Sequence, residues 1–293
     1  MSILVAGAGG QLGRELVSRG AALGVVGLDH GQWDITDPAA TDRIMAEHRP
    51  RVVINAAAHT AVDKAESEPG LALAVNRDGV GHLARACSAQ GAALLHLSTC
   101  YVFDGTRNTP YTEDDEPRPL NAYGRSKWEG EQLVRARLPR HLTLRVSWVF
   151  GAHGENFVRT MLRLAREGRP LRVVADQTGT PTHAGAIARA LLQLAKRIQG
   201  GEELPWGTYH YPGGPATTWH GFAQAILAAA HGRGLLDSTP EVTAIDSGDY
   251  ATPARRPRYS VLDGTRAREV LDLESADWRT GLQEVLSAWK DAA

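Results

Sequence analysis

Five short, almost uninterrupted apolar runs mark the first half of the chain, at residues 2–8, 25–29, 51–58, 93–99 and 142–150. Between them lie longer stretches, 11–20, 39–48, 71–90 and 123–138, in which apolar residues recur every three or four positions. The first pattern predicts strands buried on both faces, the second amphipathic helices. Their alternation predicts an α/β fold with a doubly wound parallel, Rossmann-like sheet. After Phe150 the rhythm loosens. Residues 157–168, 184–198 and 220–234 keep helical spacing, but the Gly-, Pro- and Thr-rich segments 176–182, 204–218 and 247–259 between them predict loops.

Composition changes little. With 293 residues, 43% hydrophobic and 22% charged, the chain is of ordinary globular make-up. A net charge of −1 without long single-sign runs argues against nucleic-acid tails and polybasic membrane patches. Two cysteines, Cys87 and Cys100, make no disulfide framework and no metal-type spacing. No run approaches the roughly 18 apolar residues of a membrane span, and no basic leader precedes the first strand, so a cytoplasmic protein is expected.

The first strand runs into GAGGQLG, which places Gly7, Gly10 and Gly13 at the opening of the first helix. Bare backbone there lets a pyrophosphate approach the helix N-terminus, where free N–H groups and the macrodipole favour negative charge. A plain strand–helix turn would explain the glycines alone about as well; their place in the first βα unit, where doubly wound sheets hold dinucleotides, favours a cofactor. Asp29 ends the second strand, where an acid can bind the adenosine ribose hydroxyls of NAD; Arg14 offers a site for the 2′-phosphate of NADP. Asp34 and Ile35 fall where an adenine can rest, although Asp34 is equally suited to capping a helix. Ala56, Ala57 and Ala58 close the third strand with small side chains that leave room for a cofactor. Residues 1–150 are thus expected to bind a dinucleotide and carry the catalytic groups. Residues 151–293 are expected to form a smaller, mixed, mainly substrate-binding region within the same compact body.

Tyr123 and Lys127, in AYGRSK, lie four apart and share one face of the predicted helix. An ammonium so placed can lower the pKa of the phenol, which can pass a proton to a carbonyl oxygen. Alone the pair is as well explained by an exposed helix face. Ser98 and Thr99 at the end of the fourth strand add a hydroxyl that can hold that carbonyl, and NADPH or NADH would supply hydride.

These pieces together resemble the extended short-chain dehydrogenase/reductase superfamily, and within it the dTDP-4-dehydrorhamnose reductase family. The segments GQLGREL, NAAAHTAVDKAESEP, STCYVFDG, YGRSKWEGE, RVSWVFG, NFVRTMLRLA, DQTGTPT, TTWHGFA and TPARRPR carry the likeness from Gly10 to Arg258. The resemblance implies reduction of the C4 ketone of dTDP-4-dehydro-L-rhamnose. Tyr123 would be proton donor, Lys127 its partner and Thr99 the polarising hydroxyl. Gly10, Gln11, Leu12, Asp29, Asp34, Ile35, Ala58, His59, Thr60 and Leu97 would line the cofactor, with Tyr123 and Lys127 also facing it. Trp148 would pack on the nucleotide unless it is a core tryptophan. Arg255 and Arg256 would approach its phosphates, or else serve the surface or pair with Asp263.

One position departs from the family pattern. Where it reads Ser-Thr-Asp-Tyr, this chain has Ser98-Thr99-Cys100-Tyr101, and a thiol carries no charge unless ionised. Cys100 is expected to be tolerated; weakened catalysis or altered sugar preference is the competing expectation. Some members hold magnesium at a subunit contact, but 181–188 has no acid to ligate it and no metal is expected. A homodimer stays open. The competing functions are a nucleotide-sugar epimerase or dehydratase and a non-catalytic NADP-binding regulatory subunit.

Overall fold

The computed structural model describes residues 2–291. Strand β1 (Ile3–Ala6), helix α1 (Gln11–Gly20), β2 (Val25–Leu28), α2 (Pro38–His48) and β3 (Val52–Asn55) follow in order. Two short helices, α3 (Val62–Ser67) and α4 (Pro69–Leu73), lead through a π-helical segment, Ala74–Gly79, into α5 (Val80–Gln90). Then come β4 (Ala93–Thr99), α6 (Ala122–Arg137) and β5 (His141–Val146). The later part carries β6 (Val149–Phe150), α7 (Phe157–Arg166), β7 (Leu171–Val174), β8 (Thr178–Gly179), β9 (Thr182–His183) and α8 (Ala184–Gln199). It ends with β10 (Gly207–His210), β11 (Thr217–Thr218), α9 (Trp219–Gly232), β12 (Val242–Ile245), α10 (Thr265–Leu271) and α11 (Trp278–Asp291).

The main sheet has six strands in the order β10-β5-β4-β3-β1-β2, all parallel. Its residues alternate strictly between two cores, as a two-residue period demands. Ile3, Val5, Val52, Ile54 and Leu95 face one side, where α1 and α8 bring Leu12, Leu16, Ile187 and Leu191. Leu4, Ala6, Val53 and Leu94 face the other, where α2, α5 and α6 bring Met45, Leu83 and Val134. Both faces are covered, which is why these strands read as continuous apolar runs. The doubly wound sheet is as expected.

Three details differ from the sequence expectation. The run 142–150 is not one strand: β5 stops at Val146, and Trp148 takes a φ of 45° before β6. The 204–218 segment is not all loop, because β10 pairs with β5 from Leu142 to Arg145 and completes the main sheet. The helix expected over 71–90 passes through the π-helical segment at Asn76.

Residues from Phe150 onward build a third core. Phe150, Met161, Leu171, Phe222, Ile226, Trp278 and Leu286 pack together from α7, α9, α11 and the small parallel pair β7–β12. Among the described residues, no helix is long and apolar enough to cross a membrane.

Candidate active site

The strand order reverses direction between β1 and β3, the place where a doubly wound sheet offers a binding crevice at the strands' carboxyl ends. Gly7 turns the chain at φ +80, and a Cβ on it would lie 2.6 Å from the Ala57 nitrogen. A Cβ on Gly13 would lie 2.1 Å from the Gly7 carbonyl oxygen. Only glycine fits either place. Gly10 starts α1 with no side-chain cap, so the first N–H groups of the helix face the crevice uncovered. That is the shape and polarity a dinucleotide pyrophosphate needs.

The other predicted cofactor residues fall around this cradle in different ways. Gln11 accepts from Asn156 at 2.9 Å, joining the glycine turn to the later half of the chain. Leu12 is a core residue. Asp29 is exposed opposite Gly9, and its carboxylate accepts the Gln32 N–H at 3.1 Å; Arg14 donates to the Gly9 carbonyl at 3.1 Å. Acid and guanidinium thus flank one glycine. Asp34 closes a turn by accepting from the Thr36 N–H and hydroxyl at 2.9 and 2.8 Å, and the cap of α2 is Asp37. Ile35 packs inward beside Gly79.

Ala58, His59 and Thr60 lead out of β3. Asn76, which sequence reasoning missed, pins this segment: its amide accepts the His59 N–H and donates to the His59 carbonyl, both at 2.9 Å, and donates to Ser126 Oγ at 3.0 Å. The π-helical turn aims it there, between the β3 loop and α6. A Cβ on Gly130 would lie 2.1 Å from the Asn76 carbonyl oxygen, so the two helices touch backbone to backbone.

Thr99, Tyr123 and Lys127 meet at the end of β4. Asn121 caps α6 by accepting the Gly124 N–H at 2.7 Å, and Glu66 accepts the Ala122 N–H at 2.7 Å. A Cβ on Gly124 would lie 2.1 Å from the Tyr101 carbonyl oxygen, so α6 rests directly on the turn that follows Thr99. Burial pushes the half-buried Tyr123 phenol up to about 12, against the pull of the Thr99 hydroxyl. The expected lowering by Lys127 does not appear: burial, then Cys100, raise the phenol, and the Thr99 hydroxyl is what opposes them. Burial also brings the Lys127 ammonium down to about 8, opposed by Glu131. Lys127 donates to the Leu97 carbonyl at 2.6 Å, which orients it beneath the site.

Cys100 is buried among the hydroxyls of Ser147, Ser260 and Thr99; burial pushes its thiol up, so it is neutral near pH 7. Trp148 is neither a buried core residue nor free. It stacks on Trp219 with centroids 3.6 Å apart, and a Cβ on Gly179 would lie 2.4 Å from its indole. Trp219 was not foreseen, although it stands in the TTWHGFA segment. Arg256 corrects its expectation: its guanidinium grips Asp63 at 3.0 and 2.7 Å, so it is committed to an ion pair, and with Asp63 rather than Asp263. Arg255 is exposed, and its carbonyl accepts from Asn121 at 2.8 Å. No cluster of three or more potential metal ligands occurs among the described residues.

Residues 1–290 match the family model described as RmlD substrate binding domain. The chain is 44% identical to the dTDP-4-dehydrorhamnose reductase of Aggregatibacter actinomycetemcomitans over 286 residues, 97% of each chain. The chain belongs to the dTDP-4-dehydrorhamnose reductase family. The Burkholderia thailandensis member is 45% identical, covering 95% of this chain and 96% of the relative. A solved Clostridium acetobutylicum member superimposes with a TM-score of 0.91 at 37% identity, over 99% of this chain and 100% of that one. A Bacillus anthracis member solved with NADP gives 0.90 at 33% identity, over 98% and 99%. Whether Cys100, expected to replace an acid, is tolerated here is a matter for the variant enzyme; what surrounds it is the ring of hydroxyls from Ser147, Ser260 and Thr99.

Proposed function

We propose that this chain reduces the C4 ketone of dTDP-4-dehydro-L-rhamnose to dTDP-L-rhamnose with NADPH or NADH. The observation that carries the reading is the meeting of Thr99, Tyr123 and Lys127 beside a glycine cradle in a chain of this family. The NADP in the Bacillus anthracis relative supports NADPH as a reductant. A nicotinamide bound in the crevice supplies the hydride. The rest falls to the chain's own side chains.

Tyr123 holds its proton up to about pH 12, so it reaches the ketone as an acid and releases the proton to the carbonyl oxygen as negative charge develops there. Thr99 donates to the same oxygen and orients it. Lys127 stabilises the tyrosinate left behind and can bind ribose hydroxyls. Lys127 is the first of the two to lose its proton as pH rises, near pH 8, so turnover should fall on the alkaline side there. Gly7, Gly10, Gln11 and Gly13 take the pyrophosphate end of the cofactor, with Asp29 or Arg14 at the adenosine ribose. Ala58, His59, Thr60 and Leu97 line the path between. The stacked Trp148 and Trp219 offer a flat apolar platform to the thymine, and the exposed Arg255 is available to a diphosphate. Residues 151–293 thus mainly hold the sugar nucleotide, while 1–150 hold cofactor and chemistry.

The test is to follow NADPH and NADH oxidation with purified dTDP-4-dehydrorhamnose. Stoichiometric oxidation with formation of dTDP-rhamnose is expected. Conversion without net oxidation would indicate an epimerase or dehydratase, and no turnover with retained cofactor binding a regulatory protein.

A further inference from the structure

Behind the Tyr123–Lys127 pair lies a charge cluster that the reaction as described does not use. Glu131 is the next residue along the same helix face, four beyond Lys127, and both are 2% exposed. Its carboxylate is fully engaged. Arg145 on β5 donates to it from Nε at 3.0 and 3.2 Å and from Nη2 at 2.7 Å, and Ser98 Oγ donates at 2.5 Å. Arg145 is buried in turn. Its guanidinium lies over the Phe103 and Trp128 rings at 5.2 and 5.6 Å, and Nη1 donates to His210 Nε2 at 3.3 Å. The tautomer follows from the far side of that ring: Nδ1 must donate to the Tyr111 carbonyl at 3.0 Å, leaving Nε2 as acceptor.

A buried ion pair is a poor way to stabilise a fold, since apolar residues of like volume commonly serve as well or better. This one joins the elements around Thr99, Tyr123 and Lys127. Ser98 precedes Thr99, Glu131 shares α6 with Tyr123 and Lys127, and His210 belongs to the strand contributed by the later half of the chain. The other groups facing Lys127 do not supply negative charge. His96 on β4 is buried and neutral, its imidazole held well below the usual range by burial and then by Lys127 itself. The Leu97 carbonyl and Tyr123 are uncharged, and His141 on β5 is likewise pushed down by burial.

We propose that Glu131, held by Arg145 and Ser98, is a positioning residue that acts as the buried counter-charge of Lys127 in turnover. The inference rests on the reading that Tyr123 and Lys127 carry the reduction. Burial alone works against the ammonium, and Glu131 is the group that opposes it. Without that carboxylate Lys127 should lose its proton at lower pH, and the tyrosinate would form beside a neutral amine.

The experiment compares wild type, Tyr123→Phe, Glu131→Gln and Glu131→Gln/Arg145→Met in NADPH oxidation against pH, with thermal melting as the control for folding. Glu131→Gln leaves Arg145 buried and unpaired, which lowers stability; the double variant removes both charges and carries the test. In each folded Glu131 variant the alkaline fall in kcat should begin about one pH unit lower than in wild type, with kcat at pH 8 down about fivefold and KM little changed. An alkaline limb in the double variant that coincides with wild type, whatever its melting temperature, overturns the inference. If Tyr123→Phe also keeps turnover, the reading of the reaction itself is at fault; if Tyr123→Phe is inactive and the limb is unmoved, only the role of Glu131 fails.

Discussion

Cys100 is the residue where the sequence departs from the motif pattern expected of it, and its surroundings bear on what the change costs. A carboxylate there would be enclosed by Ser147, Ser260 and Thr99, while the thiol is neutral. An anion at this position would also raise the neighbouring Tyr123 further, a trend already present in the electrostatics of the pair. Cys100→Asp should therefore change kcat/KM by less than about tenfold, roughly 1.4 kcal/mol, in a steady-state assay at pH 7. A much larger gain would mean the thiol is a handicap. Tyr123, Lys127 and Thr99 were legible in the sequence because a four-residue spacing on a helix and a hydroxyl at a strand end survive folding unchanged. Trp219, Asn76 and Glu131 were not, because their value lies in partners 71, 17 and 14 positions away: Trp148, His59 and Arg145. Arg256 misled for the same reason, its partner Asp63 lying 193 residues distant.

Among the elements, α6 matters most, because it carries Tyr123 and Lys127 while pressing on the turn after Thr99. Gly124 is the contact, with no room for a methyl group 2.1 Å from the Tyr101 carbonyl. Gly124→Ala should push the helix off this turn and lower kcat by about a hundredfold, since misplacement of about 1 Å costs that much, while NADPH binding measured by fluorescence changes less. Unaltered kcat would show that the helix can shift without cost. Strand and helix periodicity made nearly all of this layer readable. The break at Trp148 was hidden inside an apolar run with no glycine or proline to mark it. The β10 strand was hidden by the opposite circumstance, Gly and Pro on both sides of four residues whose strand character comes from pairing with β5.

At the scale of the whole molecule, the two halves share one sheet and one site, so the stability of the fold and the integrity of the site should respond together to acid. His96, His141, His183 and His210 are all depressed chiefly by burial, His210 to about 3. The unfolded chain binds protons at these positions below about pH 6.5 and the native state does not, so their neutral burial is harmless above that pH and destabilising as pH falls. For His96 and His210 alone, urea melts should show a loss of about 2 kcal/mol between pH 6.5 and 5.5. Stability independent of pH in that interval would contradict it. The sheet class and family were legible at this scale from the alternating runs and the quoted motifs; how the later half completes the sheet was not, since it depends on a pairing that no local pattern encodes.

The central claim is that Tyr123 delivers the proton that completes ketone reduction at the end of β4. Tyr123→Phe tests it most directly, assayed for both NADPH binding and NADPH oxidation with dTDP-4-dehydrorhamnose. Cofactor affinity within a few-fold of wild type with kcat reduced by about 10²–10⁴ is the predicted result; turnover at the wild-type rate would contradict it.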